Sequence, residues 1–162
     1  MVISLIFDGI ITNYLPYLVN DLSFFTPMFT LISIFIIYPL YRKKEKYYFI
    51  ALFILGIVYD LMYTNMLFFN ATIFIIIGLF TKIINKNLEL SILKNIIYII
   101  FIIIIYEFVT AIILYIYNIV PISIDKVLYK IIHSIILNVI YGDILFLFIK
   151  VLPKKYKEIN IN

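Results

Sequence analysis

Four carboxyl side chains, Asp8, Asp60, Glu107 and Asp143, interrupt stretches of sequence that are otherwise almost wholly apolar. An ionised acid at the centre of a membrane helix costs roughly 2.5 to 3.5 kcal/mol on insertion scales, so each must face other helices, carry a proton or lie near an interface. The chemistry open to such groups is proton transfer, ligand binding, or hydrogen bonding that fixes how helices associate. Their neighbours form ridges. Ser4, Asp8 and Thr12 recur every four residues, as do Ser134, Asn138 and Gly142; Gly56 shares a helical face with Asp60, and Glu107 shares one with Thr110 and Ala111. These ridges are expected to meet other helices, and hydrogen-bonded packing, worth about 1 kcal/mol per contact, is favoured over a ligand or proton site. Glu107, near mid-span, is the acid least easily explained by packing, with Asn138 or His133 as possible partners. Asp60 lies a few residues before a turn, where water could reach it or backbone donors around Thr64 and Asn65 could hold it. His133, on an apolar face, is read as a satisfied core histidine.

Several chemistries are excluded. The chain has no cysteine and one histidine, which removes thiolate, disulfide and His-rich metal sites. It has no glycine-rich phosphate loop, no nucleophile elbow and no histidine pair at i and i+4. Neither enzymatic activity nor a cofactor or metal is expected. A proton path would need connected acids, and these four fall on different spans at different depths.

The elements that must position these residues follow from composition. Of 162 residues, 65% are hydrophobic and 14% charged, with a mean hydropathy of +1.15, a balance no water-soluble domain carries. Six spans of about 20 residues would take roughly 120 positions, which leaves no room for a soluble domain and implies one all-α transmembrane domain over 1–162. The spans are expected near 2–19, 22–41, 47–63, 66–84, 92–118 and 127–150. The first has no basic residues ahead of it and no small-residue cleavage site, so it reads as a retained helix. With the loops alternating between sides, one face collects Arg42, Lys43, Lys44, Lys46, Lys82, Lys86, Lys94, Lys150, Lys154, Lys155 and Lys157, eleven of the thirteen basic residues. Only Lys126 and Lys130 fall on the other face, which places both termini in the cytoplasm. The net charge of +4 is thus a topology signal, not a nucleic-acid one. Pro16 and Pro39 fall near span ends, Pro27 in the opening turns of the second span, and Pro121 and Pro153 outside helices. Gly9, Gly56, Gly78 and Gly142 all lie within spans, where small residues let helices approach closely.

The run from Gly56 through Tyr59 and Asp60 to Asn65, followed by Asn70, Ala71 and Gly78, resembles the signature hairpin of MreD, the rod shape-determining membrane protein family. The similarity extends over essentially the whole chain: a short first helix, a basic loop after the second, an acid in the fifth at Tyr106-Glu107-Phe108, and a sixth-helix pattern from Ile136-Leu137-Asn138 to Leu152-Pro153. One departure is the absence of the glycine that many members carry after the external turn, where this chain has Met66, Leu67 and Phe68. The resemblance implies a non-enzymatic scaffold of the bacterial cell-elongation complex in the cytoplasmic membrane. It would bind an MreC-like bitopic protein and MreB filaments, directly or indirectly, near RodA and a penicillin-binding transpeptidase, in contact with membrane lipid. Asp8, Gly56, Tyr59, Asp60, Asn70, Glu107, Asn138 and Gly142 become the candidate helix-packing or partner-binding residues. The family also resembles the six-helix substrate-binding subunits of energy-coupling-factor vitamin transporters. That alternative predicts a polar external pocket near Asp60, Asn70 and His133. Such subunits typically dock through small residues, often alanines, spaced by four on the first helix, where this chain has Ser4, Asp8 and Thr12.

Overall fold

The computed structural model describes residues 1–14 (with side chains through Ile11), 26–64, 66–84, 91–118 and 123–151. The Thr12 and Asn13 side chains, Pro16, Asn20, Asp21, Asn65, Asn85 to Glu89, Pro121 and the tail from Leu152 lie outside the described residues. Six helices are seen among those described: α1 (Val2–Tyr14), α2 (Phe29–Tyr41), α3 (Glu45–Tyr63), α4 (Phe69–Ile84), α5 (Ile92–Ile116) and α6 (Ile124–Val151). Helices α3, α5 and α6 are long and apolar enough to cross a membrane, whereas α1, α2 and α4 are shorter apolar helices.

Helix α2 is the axis of the bundle. It touches α1, α3, α4 and α6, and nine of its 13 residues are buried, as expected of a helix apolar on every side. Helix α5 is equally apolar all round but buries a single edge, Asn95, Ile99, Ile102, Ile103 and Glu107. Its outward Ile97, Phe101, Phe108 and Ile112 are exposed, the surface that lipid would solvate.

Side-chain contacts set the registers. Ser4 and Asp8 of α1 meet Ser33 and Phe29 of α2, an antiparallel pair. Tyr48 packs beside Tyr38 at 5.0 Å between ring centroids and donates to the Ile34 carbonyl, tying α3 to α2. Helices α3 and α4 form an antiparallel hairpin, joined at one end by Asp60 and Asn70 and at the other by the Glu45–Lys82 ion pair. Asn95 at the start of α5 donates to Asp143 near the end of α6, at 2.8 Å. Successive helices therefore alternate in direction.

Two expectations about the spans need correction. Pro27 does not lie in the first turns of the second helix: Thr26–Met28 are non-helical and α2 starts at Phe29, while residues 22–25 lie outside the described residues. Proline disfavours helical conformation in the residue before it, and side chains of α6 bind the Thr26–Met28 backbone in place of helical partners. The fourth helix likewise starts at Phe69 instead of Met66, because Phe68 has φ of 66°. That is the conformation glycine adopts without strain, so Phe68 occupies a place suited to the glycine this chain lacks.

Candidate functional site

Asp8, only 1% exposed, is carried by α1 to the N-terminus of α2. Its Oδ1 accepts from the Phe29 N–H at 2.8 Å and its Oδ2 from the Thr30 N–H at 2.9 Å. The first N–H groups of a helix have no partner within it, and they carry the positive end of the helix dipole. Met28, the residue in the local capping position, makes no side-chain bond. A carboxylate from a different helix supplies the cap that is ordinarily given by the residue just ahead.

Asp60 repeats this arrangement inside the α3–α4 hairpin. Its Oδ1 accepts from the Asn70 N–H at 2.8 Å, the Asn70 side-chain amide at 2.9 Å and the Thr64 hydroxyl at 2.8 Å, while Oδ2 accepts from the Ala71 N–H at 3.3 Å. Asp60 is 2% exposed and Asn70 fully buried, so the acid is enclosed instead of open to water, and its backbone donors lie at the start of α4. Gly56, one turn earlier, permits the approach: a methyl group there would run into the backbone of Ala71. Tyr59 packs its ring against Tyr63 and Phe74, with centroids 4.8 and 5.6 Å away. The Tyr106 hydroxyl donates to Asn70 Oδ1 at 3.2 Å, bringing in α5.

Asn138 and Ser134 hold the approach to α2. Asn138 Oδ1 accepts from the Met28 N–H at 3.0 Å and its amide donates to the carbonyls of Thr26 and Ser134, while Ser134 Oγ accepts from the Thr26 N–H at 2.9 Å. The side-chain amide of Asn138 thus binds both an N–H and a C=O of the non-helical Thr26–Met28 backbone. On the same ridge Gly142 faces the ends of Ile99 and Ile32. The adjacent Tyr141 closes a triangle of hydroxyls with Ser4 and Ser33, an arrangement that joins α1, α2 and α6.

The family model of the rod shape-determining protein MreD matches residues 1–156. The chain belongs to the MreD family. No curated protein and no solved structure matches it. Membership makes it a membrane protein of the rod shape-determination system, in which MreD acts with MreC and MreB. Ser4 and Asp8 of the first ridge of this MreD chain, and Ser134 and Asn138 of the ridge on α6, meet neighbouring helices, as their spacing predicts, and are bonded within the bundle.

The remaining candidates fall differently. Glu107 is 5% exposed. Asn138 is not its partner, being engaged by Thr26, Met28 and Ser134. His133 is exposed, not core, with Nδ1 at 2.8 Å from the Tyr129 carbonyl of its own helix. Asp60 and Asn70 are occupied by each other and His133 faces outward, so the three do not line the polar pocket expected of the transporter alternative. A cavity of about 400 Å³ lies where α4 begins and α5 ends, lined by residues 66–69, Thr72, Ile113, Ile116 and Tyr117 and by none of the candidate residues. Ser33, Tyr141, Tyr106 and Asn95 were not singled out from sequence as binding partners. Ser33 was visible as a polar residue in an apolar run, whereas Asn95 follows Lys94 at the start of its span and the tyrosines were masked by the chain's fifteen.

Proposed function

We propose that this MreD-family protein is a non-enzymatic scaffold of the cell-elongation complex. It binds an MreC-like bitopic partner and helps couple MreB filaments, directly or through that partner, to the RodA glycosyltransferase and its penicillin-binding transpeptidase. The observation that carries this reading is the family match across residues 1–156. The proposal includes a single domain of six spans in the bacterial cytoplasmic membrane, with both termini inside. Support for that topology comes from the alternating helix directions and from the eleven basic residues that alternating loops assign to one side of the membrane.

The buried polar groups support assembly over ligand capture. Asp8, Asp60, Asn70 and Asn138 are engaged in holding helix ends. Gly56 and Gly142 set how closely helices approach, and Tyr59 fills the space behind Asp60. These residues act on a partner by keeping its docking face in shape. Glu107, buried on the inner edge of α5, caps no helix end and belongs to this reading only as a candidate helix-packing residue. The basic end meets anionic lipid headgroups, an attraction worth about 1 kcal/mol per lysine or arginine near the surface.

Detergent co-purification of the tagged full chain from its own cells, with retained proteins identified by mass spectrometry, tests the proposal. Recovery of an MreC-like protein with the wall-synthesis enzymes is expected, and depletion should round the cells. Recovery of a coupling membrane subunit with paired ATPases would overturn it in favour of transport.

A further inference from the structure

Glu107 stands apart from the acids that cap helices. Its Oε1 is buried without a hydrogen-bond partner among the described residues, and the Thr110 hydroxyl one turn further along α5 is buried near Tyr106 without a bond of ordinary geometry. A polar atom buried bare costs about 1 to 3 kcal/mol, more when charged. Two groups act on the carboxyl: the Lys130 ammonium of α6 and the Thr26 side chain. Lys130 is half-buried, and no direct ion pair joins it to Glu107 among the described residues. A polar pair held apart in this way is where a bridging water belongs, since cavities that stay empty are apolar ones. The nearby ammonium also disfavours a second cation in the same place.

We infer that Glu107, Thr110 and Lys130 form a small hydrated site between α5 and α6, in which water donates to Glu107 Oε1 and bridges it to the Lys130 ammonium. The ligand class is a small hydrogen-bond donor, and water is the resting occupant. Half-buried Lys130 would be the way by which solvent reaches it. This inference does not depend on the partner assignment above.

The chain has no native cysteine, so a single introduced thiol reports water access without background. The full chain in membranes would carry Thr110→Cys, with Ile103→Cys, at a fully buried apolar position of the same helix, as the dry comparison. Rates are read with a cationic and a neutral methanethiosulfonate of similar size. Thr110→Cys should react well ahead of Ile103→Cys with both. Adding Lys130→Gln should raise the cationic-to-neutral rate ratio roughly tenfold, the effect of removing one charge several ångströms away at intermediate dielectric, and adding Glu107→Gln should cancel that rise. Equal inertness of the two cysteines would overturn the proposal as a dry site. A ratio indifferent to Lys130→Gln would overturn the pairing, and that arm is decisive even where Glu107→Gln fails to fold.

Discussion

Asp8 and Asp60 perform the same task in two settings. Each carboxylate accepts from two successive N–H groups at the start of a helix it does not belong to. Asp60 does so across ten residues, and the Thr64 hydroxyl and Asn70 side chain of the same hairpin join it. Asp8 reaches α2 from 21 and 22 residues away, and the approach to α2 is held separately by Ser134 and Asn138 of α6. The hairpin is a local unit whose cap is reinforced from within. The α2 junction has to be assembled from three helices, α1, α2 and α6. In lipid, where water cannot satisfy a freed backbone group, both solutions close the short helices α2 and α4 at their N-termini.

The contrast can be broken most directly at the acids. Asp60→Leu would strand the Asn70 N–H, the Ala71 N–H and the Asn70 amide. At about 1 to 3 kcal/mol per buried orphan, the loss should be about 4 kcal/mol, read as a large drop in thermal midpoint in detergent with protease cleavage at the hairpin tip. Asp8→Leu strands two donors and should cost about 3 kcal/mol, with α1 becoming protease-sensitive while the α3–α4 hairpin stays protected. Cleavage of both regions together in either variant would show that they unfold as one unit and would remove the distinction.

The glycines sharpen it further. An alanine at Gly56 meets the Ala71 backbone, whereas one at Gly142 meets the side-chain end of Ile99 and, less closely, the γ-methyl of Ile32. Overpacking costs about 1 to 3 kcal/mol, so Gly56→Ala should fall at the upper end and Gly142→Ala at the lower, compared by thermal midpoint. The smallest effect is expected at Phe68→Gly. Relief of a left-handed residue is worth about 1 to 2 kcal/mol, but the stack on Phe53, with centroids 6.3 Å apart, is lost. The net shift in midpoint should be small, and a large destabilisation would mean that the Phe53 contact, not the backbone, governs this turn.

The hairpin was legible because its partners are close in sequence: Gly56, Asp60, Thr64 and Asn70 lie within one helical face and one turn. Even there, neither the enclosure of Asp60 nor its backbone donors was legible: these are Asn70 and Ala71, not groups around Thr64 and Asn65, and they are set by how α4 packs on α3, with α5 bringing Tyr106 to Asn70. The α2 junction was legible only as two polar ridges. Spacing showed that Ser4 with Asp8, and Ser134 with Asn138, need partners, but a fourfold repeat carries no information about which backbone would meet it. His133 was misread because its apolar neighbours imply a core position in water, whereas in a membrane protein apolar faces also point outward.

Composition and periodicity by themselves determined that the chain is a helical membrane protein, where its apolar runs fall, which faces are polar and which end is basic. The hairpin motif added the family, which the match over residues 1–156 bears out. Tertiary structure alone decided that α2 is the central helix, that its first N–H groups are capped by Asp8, and that Glu107 is left with a bare oxygen. The physical reason is the uniformity of the apolar sequence. Helices α2 and α5 are similarly apolar over most of their lengths, and packing distinguishes the one surrounded by protein from the one with an outward apolar face.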